Sequence, residues 1–232
     1  MAKMEINVAG AFPMLGMPTH RDLPVETVRS LLQTQALLLT RGMPMALQTQ
    51  SGGSIVHHAR THCAYNFLKS ECTHLFFVDS DMEWDAEDFF RFVALGCVME
   101  CVCATYTRKK DEPEFFVDTQ GKALTNNEYG CIPVQGAGLG FTIIQRKVME
   151  QIGAKQPVLK YAGIDEPIPR YFRCDEIDGE ARGEDHAFFA DVRELGYKVY
   201  LDPTVTLGHV GSKVYKASIM DNIVTNLAEA AA

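Results

Sequence analysis

Leu75-Phe76-Phe77-Val78-Asp79-Ser80-Asp81 runs four apolar residues into two carboxylates spaced i and i+2. An uninterrupted apolar run of this length reads as a strand buried on both faces, with charge at its C-terminal end. Open α/β sheets bind their ligands outside that edge. Ser80 is expected to turn the chain, since Ser and Asp favour turns and the next helix starts near Asp85. Paired carboxylates at such a turn suit a divalent cation held against a diphosphate, with the remaining coordination left to phosphate and water. An acidic turn without a ligand has the same local pattern, so the flanking chain has to decide between them.

Upstream, Glu5 to Gly10 alternates and stops at Phe12-Pro13, which predicts a first strand opening into a loop. A helix is expected from Pro24 to Leu39, with Val25, Val28, Leu31, Leu32, Gln35 and Leu39 at helical spacing and Gly42 beyond its end. A second strand at about Met45 to Thr49 leads through Ser51-Gly52-Gly53-Ser54 into a helix from about Ile55 to Lys69. That junction reads as a turn capped by Ser54, or as an anion cradle at a helix N-terminus. Val56, Ala59, Cys63 and Phe67 form the expected core stripe; Arg60 lies one step from it and within reach of the sheet edge. His57 and His58 read as solvated.

Downstream, a helix from Ala86 to Leu95 and a strand within Val98 to Thr105 continue the alternation of strand and helix, the signature of a largely parallel sheet. Shorter strands follow at Glu114 to Val117 and Cys131 to Val134. Gly136-Ala137-Gly138-Leu139-Gly140 then feeds the apolar Phe141 to Ile144, so it is not the dinucleotide fingerprint, which opens a helix. After a short helix at Val148 to Ile152, Pro157 to Arg182 predicts a long loop able to act as a lid. Gly183-Glu184-Asp185 opens a helix that Gly196 closes, and strands at Tyr197 to Leu201 and Val205 to Gly211 precede a C-terminal helix.

Composition narrows the classes further. A net charge of −8 argues against a protein-wide grip on nucleic acid, and Arg108-Lys109-Lys110, the one basic run, reads as a solvated loop. Seven cysteines without paired Cys-x-x-Cys spacing predict reduced, structural thiols. No apolar run approaches the roughly 20 residues that span a bilayer, and no signal-type core follows Met1, so a cytoplasmic location is expected.

Val78-Asp79-Ser80-Asp81, Gly136-Ala137-Gly138, Gly183-Glu184-Asp185 and Gly208-His209-Val210-Gly211, in that order, resemble the GT-A fold glycosyltransferases that use nucleotide-sugar donors. The resemblance spans Ile6 to about Tyr215. It implies one α/β domain with a Rossmann-like, mostly parallel sheet: a nucleotide-binding half over about residues 1–110, an acceptor half over 111–215 and a terminal helix over 216–232. It further implies that Asp79, Asp81 and His209 serve Mn²⁺ or Mg²⁺, Asp79 also facing the ribose. Phe12 and Pro13 would pack the nucleobase, and Ser80 and Arg60 would lie near the diphosphate. Asp185 resembles the carboxylate that takes the acceptor's proton in inverting members, with Glu184 in reserve.

The expected reaction moves a sugar, from UDP-sugar in the first instance, to a hydroxyl of a glycan, a small molecule or a modified nucleobase, in a bacterial or phage setting. Two alternatives stand beside it. A metal-dependent nucleotidyltransferase would carry a basic glycine-rich loop after the first strand, and Gly10-Ala11-Phe12-Pro13 has no Lys or Arg until Arg21. A non-catalytic nucleotide-sugar binding module would use the acids as caps only.

Overall fold

The computed structural model describes residues 5–51, 55–119, 125–177 and 179–221. Its first part alternates β1 (Pro13–Pro18), α1 (Val25–Thr40), β2 (Ala46–Gln50), α2 (Val56–Lys69), β3 (His74–Val78), β4 (Met82–Glu83), α3 (Ala86–Val98) and β5 (Cys101–Cys103). The later part adds β6 (Val117–Asp118), β7 (Ile132–Val134), β8 (Gly136–Ala137), β9 (Phe141–Gln145) and α4 (Arg146–Lys155). Then come β10 (Val158–Leu159), β11 (Ile168–Pro169), β12 (Asp175–Ile177), β13 (Glu180–Arg182), α5 (Glu184–Glu194), β14 (Val199–Leu201), β15 (Gly208–Val210) and β16 (Val214–Lys216).

Seven strands form the central sheet in the order β2-β1-β3-β9-β5-β14-β7. β9 runs antiparallel to both β3 and β5, and β7 antiparallel to β14; the other five strands share one direction. Side chains of β3 alternate between the two faces. Leu75 and Phe77 join the core under α2, α4 and α5, whereas Phe76 and Val78 join the core under α1 and α3. A strand covered on both sides is apolar nearly throughout, which is why this run lacks alternation.

The same rule relocates the first strand. Glu5 to Gly10 forms no strand, and β1 is Pro13-Met14-Leu15-Gly16-Met17-Pro18, buried at all six positions between β2 and β3. Alternation at Glu5 to Gly10 reflects an exposed turn in which Asn7 Oδ1 accepts the Ala9 N–H. The continuous run, bounded by prolines, is the fully covered strand.

α1 has the expected ends and a different buried face. Thr27, Ser30, Thr34 and Leu38 point inward, while Val25, Leu32 and Leu39 stand 71%, 64% and 65% exposed. The buried hydroxyls bond the chain that follows the two acids. Ser30 Oγ donates to the Trp84 C=O at 2.8 Å and accepts the Trp84 N–H at 3.0 Å, and Trp84 Nε1 donates to Thr34 Oγ1 at 2.8 Å. These hydrogen bonds, together with Leu38 in the apolar core, set the rotation of this helix.

Pro157 to Arg182 is not the structureless loop expected from its prolines and glycines. It folds as two small ladders, β10–β11 and β12–β13, and sends Tyr161, Ile168, Tyr171 and Phe172 into buried positions. Arg173 anchors it further by a two-pronged ion pair to Asp191 of α5, with Nη2 2.9 Å from Oδ1. All seven cysteines are free, and burial pushes the Cys63 thiol up to about 12, as structural thiols require.

Candidate active site

Asp79 leaves the end of β3 with its N–H donated to the Gly140 C=O at 3.0 Å, and the Met82 N–H closes a turn on the Asp79 C=O at 3.2 Å. Thr27 Oγ1 reaches this turn from α1, lying 3.1 Å from the Ser80 C=O and 2.8 Å from the Met82 C=O. Immediately afterwards β4 pairs with β15, in a register that sets His209 opposite Met82. The Val210 N–H also donates to the Asp81 C=O at 2.7 Å. Strand pairing therefore brings His209 Nε2 to 3.4 Å from Asp81 Oδ2.

His209 Nδ1 lies 3.0 Å from the Thr107 C=O, an acceptor that orients the ring and turns Nε2 toward Asp81. Burial alone would raise the Asp81 pKa, but His209 and Lys109 Nζ, the latter 2.6 Å from Oδ2, outweigh it and hold the carboxyl at about 2. Asp81 is ionised throughout the physiological range.

Asp79 faces a different partner. Arg60, 3% exposed, sends Nη2 to Asp79 Oδ1 at 2.8 Å and Nε toward Glu184 Oε1 at 3.4 Å. Burial by itself would lower the Arg60 pKa; Asp79 and Glu184 reverse that and keep the guanidinium charged. Its Nη1 is buried and has no hydrogen-bond partner among the described residues. Tyr106 closes the other side of Asp79, with its hydroxyl 3.4 Å from Oδ2 and its pKa raised well above the usual value, first by burial. The glycine turn makes this fit: a Cβ at Gly140 would lie 2.5 Å from Asp79 Oδ2 and 2.6 Å from the Tyr106 hydroxyl.

Asp185 sits in the first turn of α5, where Oδ1 accepts the His186 N–H at 2.8 Å. Burial, more than any neighbour, raises its pKa, which moves a carboxylate toward the strength of a general base at neutral pH. It lines a cavity of about 290 Å³ with Tyr106, Arg108, Phe116, Gly138 and His209. One cavity thus joins the imidazole beside Asp81 to the carboxylate of α5.

Among solved structures, A197 from STIV superposes with a TM-score of 0.55 at 20% identity, over 87% of this chain and 86% of that one. GalNAc-T7, solved with UDP, GalNAc and Mn²⁺, gives a TM-score of 0.54 at 11% identity, over 87% of this chain. This chain has the GT-A glycosyltransferase fold. It spans 43% of the length of that GalNAc-T7 chain. No protein-family model matches the sequence, and no curated protein matches it.

Within the GT-A fold, most of the expected site residues lie at the C-terminal edge of β3, and Phe12 and Pro13 do not. β1 runs parallel to β3 with Pro13 level with His74, so both residues sit at the opposite edge of the sheet, where Phe12 N–H donates to Thr73 Oγ1 at 2.9 Å. The expected first strand, Glu5 to Gly10, lies eight residues ahead of β1, which is why the sequence places Phe12 and Pro13 at the site. Ser80 takes part through its backbone C=O, held by Thr27. Arg60 is a buried member of the site, not a surface partner.

The basic run also changes its reading. Lys109 meets Asp81, Arg108 lines the cavity and pairs with Glu114 at 3.1 Å, and Lys110 pairs with Glu114. Residues 52–54, the possible anion cradle, and most of the expected C-terminal helix lie outside the described residues.

Among the described residues no three His, Cys, Asp or Glu side chains gather as a metal cage. Asp79 is turned to Arg60, which leaves Asp81 and His209 as the pair brought together. That pair fits Mn²⁺ or Mg²⁺: a carboxylate oxygen and an imidazole nitrogen converge, the imidazole is oriented by a backbone carbonyl, and most of the shell stays open.

Proposed function

We propose that this protein is a metal-dependent glycosyltransferase acting on a nucleotide-sugar donor, UDP-sugar first, with a hydroxyl acceptor. The observation that carries this reading is the convergence of Asp81 and His209 at the sheet edge, in one cavity with Asp185. Asp81 Oδ2 and His209 Nε2 would hold Mn²⁺ or Mg²⁺, which supplies positive charge to the leaving diphosphate. Arg60 fixes Asp79 and Glu184, and its unpartnered Nη1 is free to donate to an oxygen of the donor. Asp79, fixed between Arg60 and Tyr106, is set to accept from donor hydroxyls.

Asp185 takes the proton of the attacking hydroxyl on Oδ2, since Oδ1 is committed to the His186 N–H. Glu184, drawn to Arg60, is left as a structural counter-ion. The glycan, small molecule or modified nucleobase that accepts the sugar would enter between Phe116 and Arg108. No helix among the described residues is long and apolar enough to cross a membrane.

The test is calorimetric titration of UDP with Mn²⁺ present, with chelator, and in Asp81→Asn. Affinity is expected to fall at least tenfold on chelation and in the variant. Equal affinity in all three overturns the reading.

A further inference from the structure

Asp81 Oδ2 is contacted from two sides, by His209 Nε2 at 3.4 Å and by Lys109 Nζ at 2.6 Å. In the first contact the Thr107 carbonyl beside Nδ1 aims Nε2 at the carboxylate. A half-buried carboxylate is held ionised by a positive charge beside it. Lys109 supplies one from the loop after β5, two residues beyond the carbonyl that orients the imidazole.

Its route there is built. The lysine stem crosses Gly211, in the turn between β15 and β16, where a Cβ would lie 3.0 Å from Lys109 Cδ and 3.6 Å from Cε. The Gly211 N–H donates to the Lys213 C=O at 2.8 Å, so the backbone under the stem is fixed by the hairpin itself. A side chain at 211 would narrow the lane that leads the ammonium to Asp81.

We infer that Lys109 is a tethered cation that contends with the divalent metal for Asp81, so that metal binds by displacing the Lys109 ammonium. The inference rests on the metal reading proposed above. Displacement is feasible because the pair is half-open: the side chains of Lys109 and Asp81 are 38% and 35% exposed, and an ammonium released there regains water. The metal gains both Asp81 and His209, whereas the lysine touches Asp81. Lys109 is thus a positioning residue that lowers intrinsic metal affinity and keeps Asp81 neutralised whenever metal leaves.

The experiment measures Mn²⁺ binding to the full chain without nucleotide, by the electron paramagnetic resonance signal of free Mn²⁺. It compares wild type, Lys109→Gln, Lys109→Arg and Asp81→Asn. Lys109→Gln is expected to bind Mn²⁺ about three- to tenfold more tightly, Lys109→Arg to stay near wild type, and Asp81→Asn to lose binding. Equal or weaker affinity in Lys109→Gln, with binding lost in Asp81→Asn, overturns the competition and leaves the metal site standing. Affinity unchanged in Asp81→Asn, or no binding by wild type and Lys109→Gln alike, overturns the metal reading and the competition together.

Discussion

Thr27→Val exchanges a hydroxyl for a methyl of the same shape, inside the contact between α1 and the turn that carries Asp79 and Asp81. The hydroxyl proton lies between the Met82 C=O at 2.8 Å and the Ser80 C=O at 3.1 Å. Valine keeps the volume, so no cavity term enters, and the loss is that of one donor to buried carbonyls. Leaving such a group unsatisfied costs about 1 to 3 kcal/mol. The cost falls on the turn and not on the apolar core, so part of it should appear as a population in which Asp81 is displaced from His209. A displaced fraction worth about 1.4 kcal/mol lowers apparent metal affinity about tenfold. Urea denaturation and Mn²⁺ titration are to be run on Thr27→Val beside Thr27→Ser, which restores the hydroxyl. The reasoning is refuted if Thr27→Val unfolds at the wild-type midpoint and binds Mn²⁺ as tightly as Thr27→Ser.

Three further outcomes are expected. Gly140→Ala drives a methyl against Asp79 and Tyr106, so UDP affinity with Mn²⁺ should fall by more than about tenfold while circular dichroism stays native; unchanged affinity would remove Asp79 from donor binding. Asp185→Asn should bind UDP normally and transfer sugar about 100- to 10,000-fold more slowly, and a near-normal rate in a working acceptor assay would transfer the role of base to another group. The Asp88 carboxyl is held up at about 6, first by burial and then by Asp85 and Asp202. Its folded pKa exceeds the unfolded one, so the native state binds that proton more tightly and stability declines as pH rises from about 4 to 6. Asp88→Asn should therefore stabilise at pH 7.5, by on the order of 1 kcal/mol after solvent screening, and have no effect on the urea midpoint below pH 4; the reverse order would contradict the shift.

Burial on both faces writes itself plainly into a sequence, and β3, with its acids, is legible for that reason. The glycines before β9 and the acids opening α5 are legible too, because turn chemistry and helix entry are local. The rotation of α1 is not legible: Val25, Leu32 and Leu39 make a convincing apolar stripe, and nothing local says that Thr27 and Ser30 answer to carbonyls, and Thr34 to the Trp84 indole, fifty or more residues away. Lys109 and Tyr106 were passed over on the same ground, since their partners Asp81 and Asp79 are 28 and 27 residues distant. The misplacement of Phe12 and Pro13 came from taking proline as a loop signal where it bounds a central strand.

The pairing of β4 with β15 has a consequence for the order in which the protein becomes competent. Asp81 and His209, on either side of that pairing, are separated by well over a hundred residues of chain, and the imidazole arrives on a strand that follows every member of the central sheet. A growing polypeptide can lay down its core, cover both faces and close the glycine turn while still lacking His209. Under the proposed metal reading, cation capture would be a late event in maturation, reserved for chains whose architecture is already in place.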